Sequence, residues 1–436
     1  METNITPKKP NIRVPEGFEL RISPYSGNWA LFPIEGFSKK YLRKNHFVPS
    51  RGVNTDASEV IVKGKTKNSN LHKAKRNKND EFYTRLDDIV CELKYYKEHF
   101  KDKIVYCPCD KCFNDGRSKF FDYCAMNFKD LGLKAVIATQ YNPNGHGTIK
   151  TITAETISEL ESRGIKWTWH GENGGISSPD ESEIPTEFLE GDGSFDSPEC
   201  RKIMKECDIV VTNPPFSKTC FRPFVKQIMD FGKKFLIIAP INAITYKDIF
   251  CYIKENRLWL GYTSPKIFEI PIDKIEDEKK QFEDDGKIYQ TFGNICWFTN
   301  LEHRKRKEPL YIWKEYTPDE YPLLENIDNA IDIGHYISSG KWQGCVNLIP
   351  KDYDGIMAVP ITFLDNYCPD QFEIIGSPDA DIIPAGWHGM NQKFVDLYYE
   401  QGNTGTYKEG NRLAHIVKDG RAIVTYKRIL IRRKQK

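Results

Sequence analysis

The residues best suited to chemistry are Asn213, Pro214, Pro215 and Phe216, which directly follow the apolar run DIVVT at 208–212. Two consecutive prolines fix φ at both positions and remove two backbone donors, so the carbonyls beside them face fewer internal partners. The Asn213 side chain adds an amide oxygen, a further acceptor. A primary aromatic amine with two N–H donors is the complementary partner, and Phe216 offers a flat face to the ring that carries it. The pattern suits holding an –NH2 group and drawing off its protons while the nitrogen attacks an electrophile. Asn-Pro and Pro-Pro also form plain strand-ending turns. The buried run before the prolines and the aromatic after them favour a site.

Such a corner needs a rigid strand behind it and a crevice in front. From about 80 to 305, KIVYCPCD, LKAVIAT, DIVVTNPPF and KFLIIAP read as buried strands. Between them DDIVCELKYYKEHF, SKFFDYCAMNFKDLG, SPECRKIMKE, CFRPFVKQIMDFG and ITYKDIFCYIKENR carry helical apolar spacing. Ser118 opens one of these helices, and Ser197 with Pro198 at the first helical position opens another. This alternation predicts an α/β fold with a mostly parallel sheet covered on both faces. Such sheets bind ligands beyond the carboxyl ends of their strands. LWLGYT, KIFEIP and GNICWFTN follow one another without a clear helix, which suits an antiparallel edge hairpin. Beyond 306 the texture changes to short Gly-, Asn- and aromatic-rich elements, an α+β or mostly β region. Residues 1–72 are rich in Pro, Gly and aromatics and suggest a few short strands or an extended arm ending in a basic linker. The expected domains are therefore 1–72, 73–305 and 306–436.

At 436 residues the chain is long enough for two or three cores. No apolar run approaches the roughly 18 residues of a membrane span, and the N-terminus lacks a secretory apolar stretch, so a cytoplasmic protein is expected. The 12 cysteines are scattered. Cys107, Cys109 and Cys112 form C-x-C-x-x-C, with Cys124 further on, but no second pair lies at zinc-finger spacing. Cys207 and Cys296 sit in apolar runs as packed thiols, and no metal is expected. A net charge of only +2 means that a nucleic-acid surface must come from segregated charge. Residues 63–78 are basic without an acid, the chain ends in YKRILIRRKQK, and acid collects near 273–286.

D-x-V-x-T-N-P-P-F resembles the catalytic motif of amino-methyltransferases, and other segments resemble the EcoRI-type adenine-specific DNA methyltransferase family in particular. NDEFYT at 79–84 is similar to that family's N-terminal cofactor motif, KIVYCPCD at 103–110 to its first strand and cofactor loop, and GDGSF at 191–195 to its acidic loop. The likeness runs from about Asn79 to Arg306, continues more faintly to the end, and omits the first 72 residues. It implies a Rossmann-like seven-stranded sheet, S-adenosyl-L-methionine as methyl donor and double-stranded DNA as substrate, with a C-terminal target-recognition domain. Phe82 and Tyr83 would pack along the methionine end of the cofactor, with polar contacts from Asp80 and Thr84, although Asp80 or Thr84 also suits a helix cap. Asp110 would face the cofactor's amino group. Here CPCDKCFNDGR stands where a Gly-rich loop is usual, with Gly116 late. Asp192 would accept from the cofactor's adenine amine with Phe195 against the ring, unless Gly-Asp-Gly is simply an exposed turn. The acid usual at the end of the second strand is missing; Thr139, Gln140 and Tyr141 stand there, and the ribose contact is unassigned.

The implied reaction is direct displacement on a flipped adenine. Positioning and neutralisation of the charge developing on nitrogen would contribute most of the rate. DNA phosphates would be met by Arg304, Lys305, Arg306, Arg428, Arg432 and Arg433, although solvated surface charge is the alternative for each. A cognate restriction endonuclease would be a natural partner, and the oligomeric state is left open. N4-cytosine, rRNA or a protein glutamine amide could use the same acceptors. A silent DNA-binding scaffold would share the fold but not the reaction.

Overall fold

The computed structural model describes residues 18–22, 29–33, 83–110, 118–141, 163–172, 179, 183–270, 281–284 and 287–434. Asp80, Phe82, Cys112, Gly116 and the basic run 63–78 lie outside the described residues. The chain divides into two units, one drawn from 1–79 and 275–279 and the other from 80–274 and 280–436. The described part of the first is an antiparallel pair, β1 (Phe18–Ile22) and β2 (Trp29–Pro33).

The second unit is built on an eight-stranded sheet. At its centre β4 (Ile104–Cys107), β5 (Ala135–Gln140), β8 (Ile209–Thr212) and β9 (Lys234–Pro240) run parallel in the order β5-β4-β8-β9. Beyond β5 lie β6 (Ile165–Trp169) and β7 (Thr186–Phe188), each antiparallel to its inner neighbour. Beyond β9 lie β14 (Ile295–Thr299) and β10 (Trp259–Leu260), again antiparallel. Three expectations need correction. Among the described residues the sheet has eight strands rather than seven, and it is mixed rather than mostly parallel. Neither β6 nor β7 reads as a strand in the sequence; β7 is the short polar edge segment TEF, which gives no apolar run to detect. The strand within KIFEIP pairs in a separate sheet rather than with LWLGYT and GNICWFTN.

Burial on both faces explains the strand composition. Successive residues of a strand point to opposite faces. Val105, Val211, Leu236 and Ile238 enter one core with α1 (Leu86–Leu93) and α2 (Lys119–Met126). Tyr106, Val210, Phe235 and Ile237 enter the other with α4 (Pro198–Glu206), α5 (Lys218–Asp230) and α6 (Lys247–Lys254); the short α3 (Phe128–Leu131) follows α2. The helix starts follow the residues expected to cap them. Ser118 Oγ accepts from the Phe120 amide at 3.2 Å, and Ser197 Oγ from the Cys200 amide at 3.2 Å, with Pro198 at the first helical position.

Two four-stranded sheets and two hairpins make up the rest of the strands described in this unit. Tyr83–Thr84 form β3, at the edge of an antiparallel sheet with β11 (Ile267–Glu269), β13 (Lys287–Thr291) and β12 (Gln281–Asp284). The α1 helix that follows is pinned by Glu92. Its buried carboxylate accepts from the Tyr96 hydroxyl at 2.7 Å and from the Tyr262 and Thr263 amides at 2.6 Å each. Past 306, β15 (Ala330–Asp332), β18 (Ile356–Pro360), β22 (Arg428–Arg433) and β19 (Phe372–Gly376) form a four-stranded sheet in that order. Hairpins β16 (Gly334–Tyr336)–β17 (Trp342–Gly344) and β20 (His415–Lys418)–β21 (Arg421–Val424) and one helix, α7 (Gln392–Glu400), accompany it. Met357, Val359, Ile429 and Ile431 of this sheet join the same core as α5 and α6.

Candidate active site

The chain passes from β4 to β5 on one side, then crosses back to lay β8 on the other side of β4. In an open α/β sheet that reversal leaves a crevice beyond the carboxyl ends of the two strands. Asp110 follows β4 at this point and Asn213 follows β8. One side chain links them. Buried Thr212 donates its hydroxyl to the Pro108 carbonyl, and the same oxygen lies 3.5 Å from Asp110 Oδ1. In the corner itself Pro214 is buried, while Asn213, Pro215 and Phe216 are half-buried. Phe216 packs against both cores, so its ring bridges the two faces at the sheet edge. Ser217 and α5 follow immediately, which fixes the corner between a central strand and a 13-residue helix.

Asp110 is 6% exposed, and its amide donates to the Thr139 carbonyl at 3.1 Å. Burial pushes its carboxyl well above the usual carboxylate range and Asp122 adds to this, while the Ser118 and Thr212 hydroxyls pull the other way. Its Oδ2 makes no hydrogen bond among the described residues. A carboxyl in that state is primed for a cationic or N–H partner, which would restore its charge. The residue before it, Cys109, has φ 64, a left-handed conformation that usually selects glycine. The loop thus makes the turn that a glycine would make, although its sequence lacks the Gly-rich pattern.

In the acidic loop, Asp192 Oδ1 accepts from the Ser194 amide at 2.9 Å, closing a tight turn. Gly193 has φ 77, and a Cβ there would fall on the Gln140 carbonyl oxygen and close on Gly164. Only glycine lets the acidic loop lie against the end of β5. The half-buried Phe195 ring meets Phe224 edge-on with centroids 5.1 Å apart, and its carbonyl accepts from Gln227 at 2.9 Å. Of the three residues left for the ribose, Thr139 is committed, since its buried hydroxyl bonds the Tyr106 hydroxyl at 2.7 Å. Tyr141 is 49% exposed, and its phenol is raised by desolvation and then by the charge of Asp192. Thr84 is buried, and its Oγ1 lacks a hydrogen-bond partner among the described residues; Tyr83, beside it, is half-buried.

The basic residues divide. Arg428 is not a phosphate contact. Its side chain is 2% exposed, and its guanidinium grips the buried Asp332 through two bonds of 2.6 and 3.0 Å. Arg306 is also withdrawn, 8% exposed, with its guanidinium 3.8 Å over the Trp259 ring and 3.7 Å from Glu302. Arg304 is exposed and paired with Glu308 at 2.8 Å, Lys305 is half-buried, Arg432 pairs with Glu373 at 3.3 Å, and Arg433 is half-buried. Among the described residues there is no cluster of three His, Cys, Asp or Glu suited to a metal ion, and no helix is long and apolar enough to cross a membrane.

A mixed α/β sheet with an Asn-Pro-Pro-Phe corner and a buried acid flanking its switch point marks a methyltransferase that acts on amino groups. The profile of a family described as adenine-specific methyltransferase EcoRI matches residues 70–434, and the chain belongs to that family. It is 41% identical over 320 residues to the Type II methyltransferase M.EcoRI of Escherichia coli, covering 71% of this chain and 89% of that one. Identity to the Type II methyltransferase M.MpnI of Mycoplasma pneumoniae is 35% over 313 residues, 70% of this chain and 84% of the relative. M.MgeORF184P of Mycoplasma genitalium, another Type II methyltransferase, is 33% identical over 313 residues, covering 70% and 85%. No solved structure matches the chain.

Proposed function

We propose that this enzyme transfers the methyl group of S-adenosyl-L-methionine to the N6 amine of an adenine flipped out of double-stranded DNA. The observation that carries the reading is the meeting of the Asn213–Phe216 corner with Asp110 at the switch point, tied through Thr212.

The residues present fit the cofactor. Asp110 Oδ2 is a buried acceptor that suits an ammonium group, and buried Thr84 Oγ1 is a second polar atom awaiting a partner. The glycine-only approach of Gly193 to Gln140 leaves Asp192 and Phe195 as acceptor and flat wall for an adenine ring. Tyr83 and, outside the described residues, Asp80 and Phe82 complete the set. When bound, the cofactor supplies an electrophilic methyl on a sulfonium.

The chain's own residues do the rest. Phe216 offers its face to the extruded base, where stacking is worth about 1–3 kcal/mol. The Asn213 amide oxygen and the Pro214 carbonyl accept hydrogen bonds from the two amine N–H groups, which orients the nitrogen for attack; one of those protons passes to water once the methyl is transferred. As positive charge develops on nitrogen, those acceptors stabilise it without reorganising. Residues 306–436 are proposed to read the target, with Arg304, Lys305, Arg432 and Arg433 as phosphate contacts. The Type II names of the relatives suggest a cognate endonuclease as genetic partner. Calorimetry tests the division of labour. Asp110→Ala should lose the heat of cofactor binding, whereas Asn213→Ala should keep it; equal loss in both would overturn the assignment.

A further inference from the structure

Tyr426 is an aromatic ring held out from the protein on a fixed mount. Its side chain is 73% exposed, yet the backbone around it is held on every side. Its carbonyl accepts from Arg428 Nη1, the guanidinium already locked on Asp332. The Arg428 amide donates to Asp379 at 2.9 Å, and the Thr425 amide donates to the Ala414 carbonyl at 3.0 Å. Lys427 between them has φ 26, a costly backbone for a non-glycine residue that persists only where its surroundings impose it.

The mount is tied to the segment that follows β9. Lys427 Nζ donates to Asn242 Oδ1. Asn242 lies in the turn Ile241–Thr245, directly beyond the carboxyl end of β9, and β9 is the parallel neighbour of β8, which carries the corner. Lys218, two residues past Phe216, sits 4.6 Å over the Tyr246 ring, and Lys247 beside Tyr246 pairs with Asp381 at 3.1 Å. An exposed aromatic with the Lys427 ammonium 5.5 Å from its ring, on a base tied to the segment after the strand beside β8, suits a stacked, anionic duplex.

We propose that Tyr426 enters the DNA beside the target adenine and stacks where the flipped base has left, with the Lys427–Asn242 contact setting its position. This rests on the DNA reading above. Extruding a base costs a few kcal/mol, and a ring that fills the vacancy offsets part of that.

The test uses the full chain. Wild type first methylates mixed-sequence DNA, which locates the site; kinetics then follow on a short duplex bearing it and on the same duplex mismatched opposite the target adenine. Tyr426→Ala should lower kcat/KM on the paired duplex at least tenfold and recover most of it on the mismatch, where flipping is easier. Tyr426→Phe should stay within about threefold of wild type. Cofactor affinity and thermal midpoint should not move in either variant. Tyr426→Ala activity equal to wild type, or an equal loss on both duplexes, would overturn the proposal, as would a loss explained by a changed oligomeric state in sedimentation. Wild type inactive on every DNA would instead overturn the DNA reading itself.

Discussion

The corner after β8 and the final strand β22 both stand out as chemistry-bearing in sequence, and the structure treats them differently. Asn213–Phe216 sits at the switch point with its neighbours Thr212 and Asp110, where its composition suggested. RILIRR at 428–433 resembles a basic DNA-binding tail, yet its first arginine is a buried structural ion. The difference lies in the range of the forces. The corner's properties are local, since prolines remove donors and an aromatic follows wherever the fold puts them. The role of an arginine depends on its partner, and Asp332 lies 96 residues away.

The largest effect that sharpens this contrast is chemical. Asn213→Ala should cost about 10²–10³ in methyl transfer, the scale of losing one preorganised polar group, with unfolding unchanged. Turnover equal to wild type would make the corner as misleading as the tail. Next comes stability. Arg428→Met strands a buried carboxylate and should cost about 3–5 kcal/mol in denaturant unfolding, with Asp332→Leu in the same chain recovering much of it. A variant of full stability and weakened DNA affinity would instead restore Arg428 to the DNA surface. Phe216→Ala should weaken base handling by about 1–3 kcal/mol, read as a loss in single-turnover rate larger than the loss in duplex affinity.

Asp110 offers a test in pH. Its folded titration is raised by burial, so below that raised range it carries a proton that a bound ammonium group must displace. Cofactor affinity should therefore rise as pH increases through the range, and Asp110→Asn should flatten the profile; a wild-type profile already flat would remove Asp110 from the cofactor. The smallest effect belongs to the outer tail. Arg432→Gln with Arg433→Gln should reduce the salt slope of DNA binding by about 2, one for each phosphate no longer neutralised, and leave folding intact.

Much of the sheet was legible because its central strands are apolar on both faces, and β4, β5, β8 and β9 each announce themselves as short runs. The helix starts at Ser118 and Ser197 were legible because capping is local. Neither β6, which turns antiparallel, nor polar β7 could be ordered from pattern, since strand direction is settled by pairing. The loop before Asp110 looked irregular because Cys109 adopts the conformation that glycine normally signals. Thr139 suits the ribose by position, but Tyr106 occupies its hydroxyl. Tyr426 carries no motif at all, and its position depends on Arg428, Asp332 and Asn242, none of them identifiable as neighbours in the sequence.

The enzyme and Asn213→Ala can each be incubated with methyl-labelled S-adenosylmethionine and mixed double-stranded DNA, and the DNA then digested to nucleosides. Label in N6-methyladenine from wild type, with nearly none from the folded, cofactor-binding variant, is the predicted result. Label in N4-methylcytosine, or the same N6-methyladenine yield from both proteins, would contradict it.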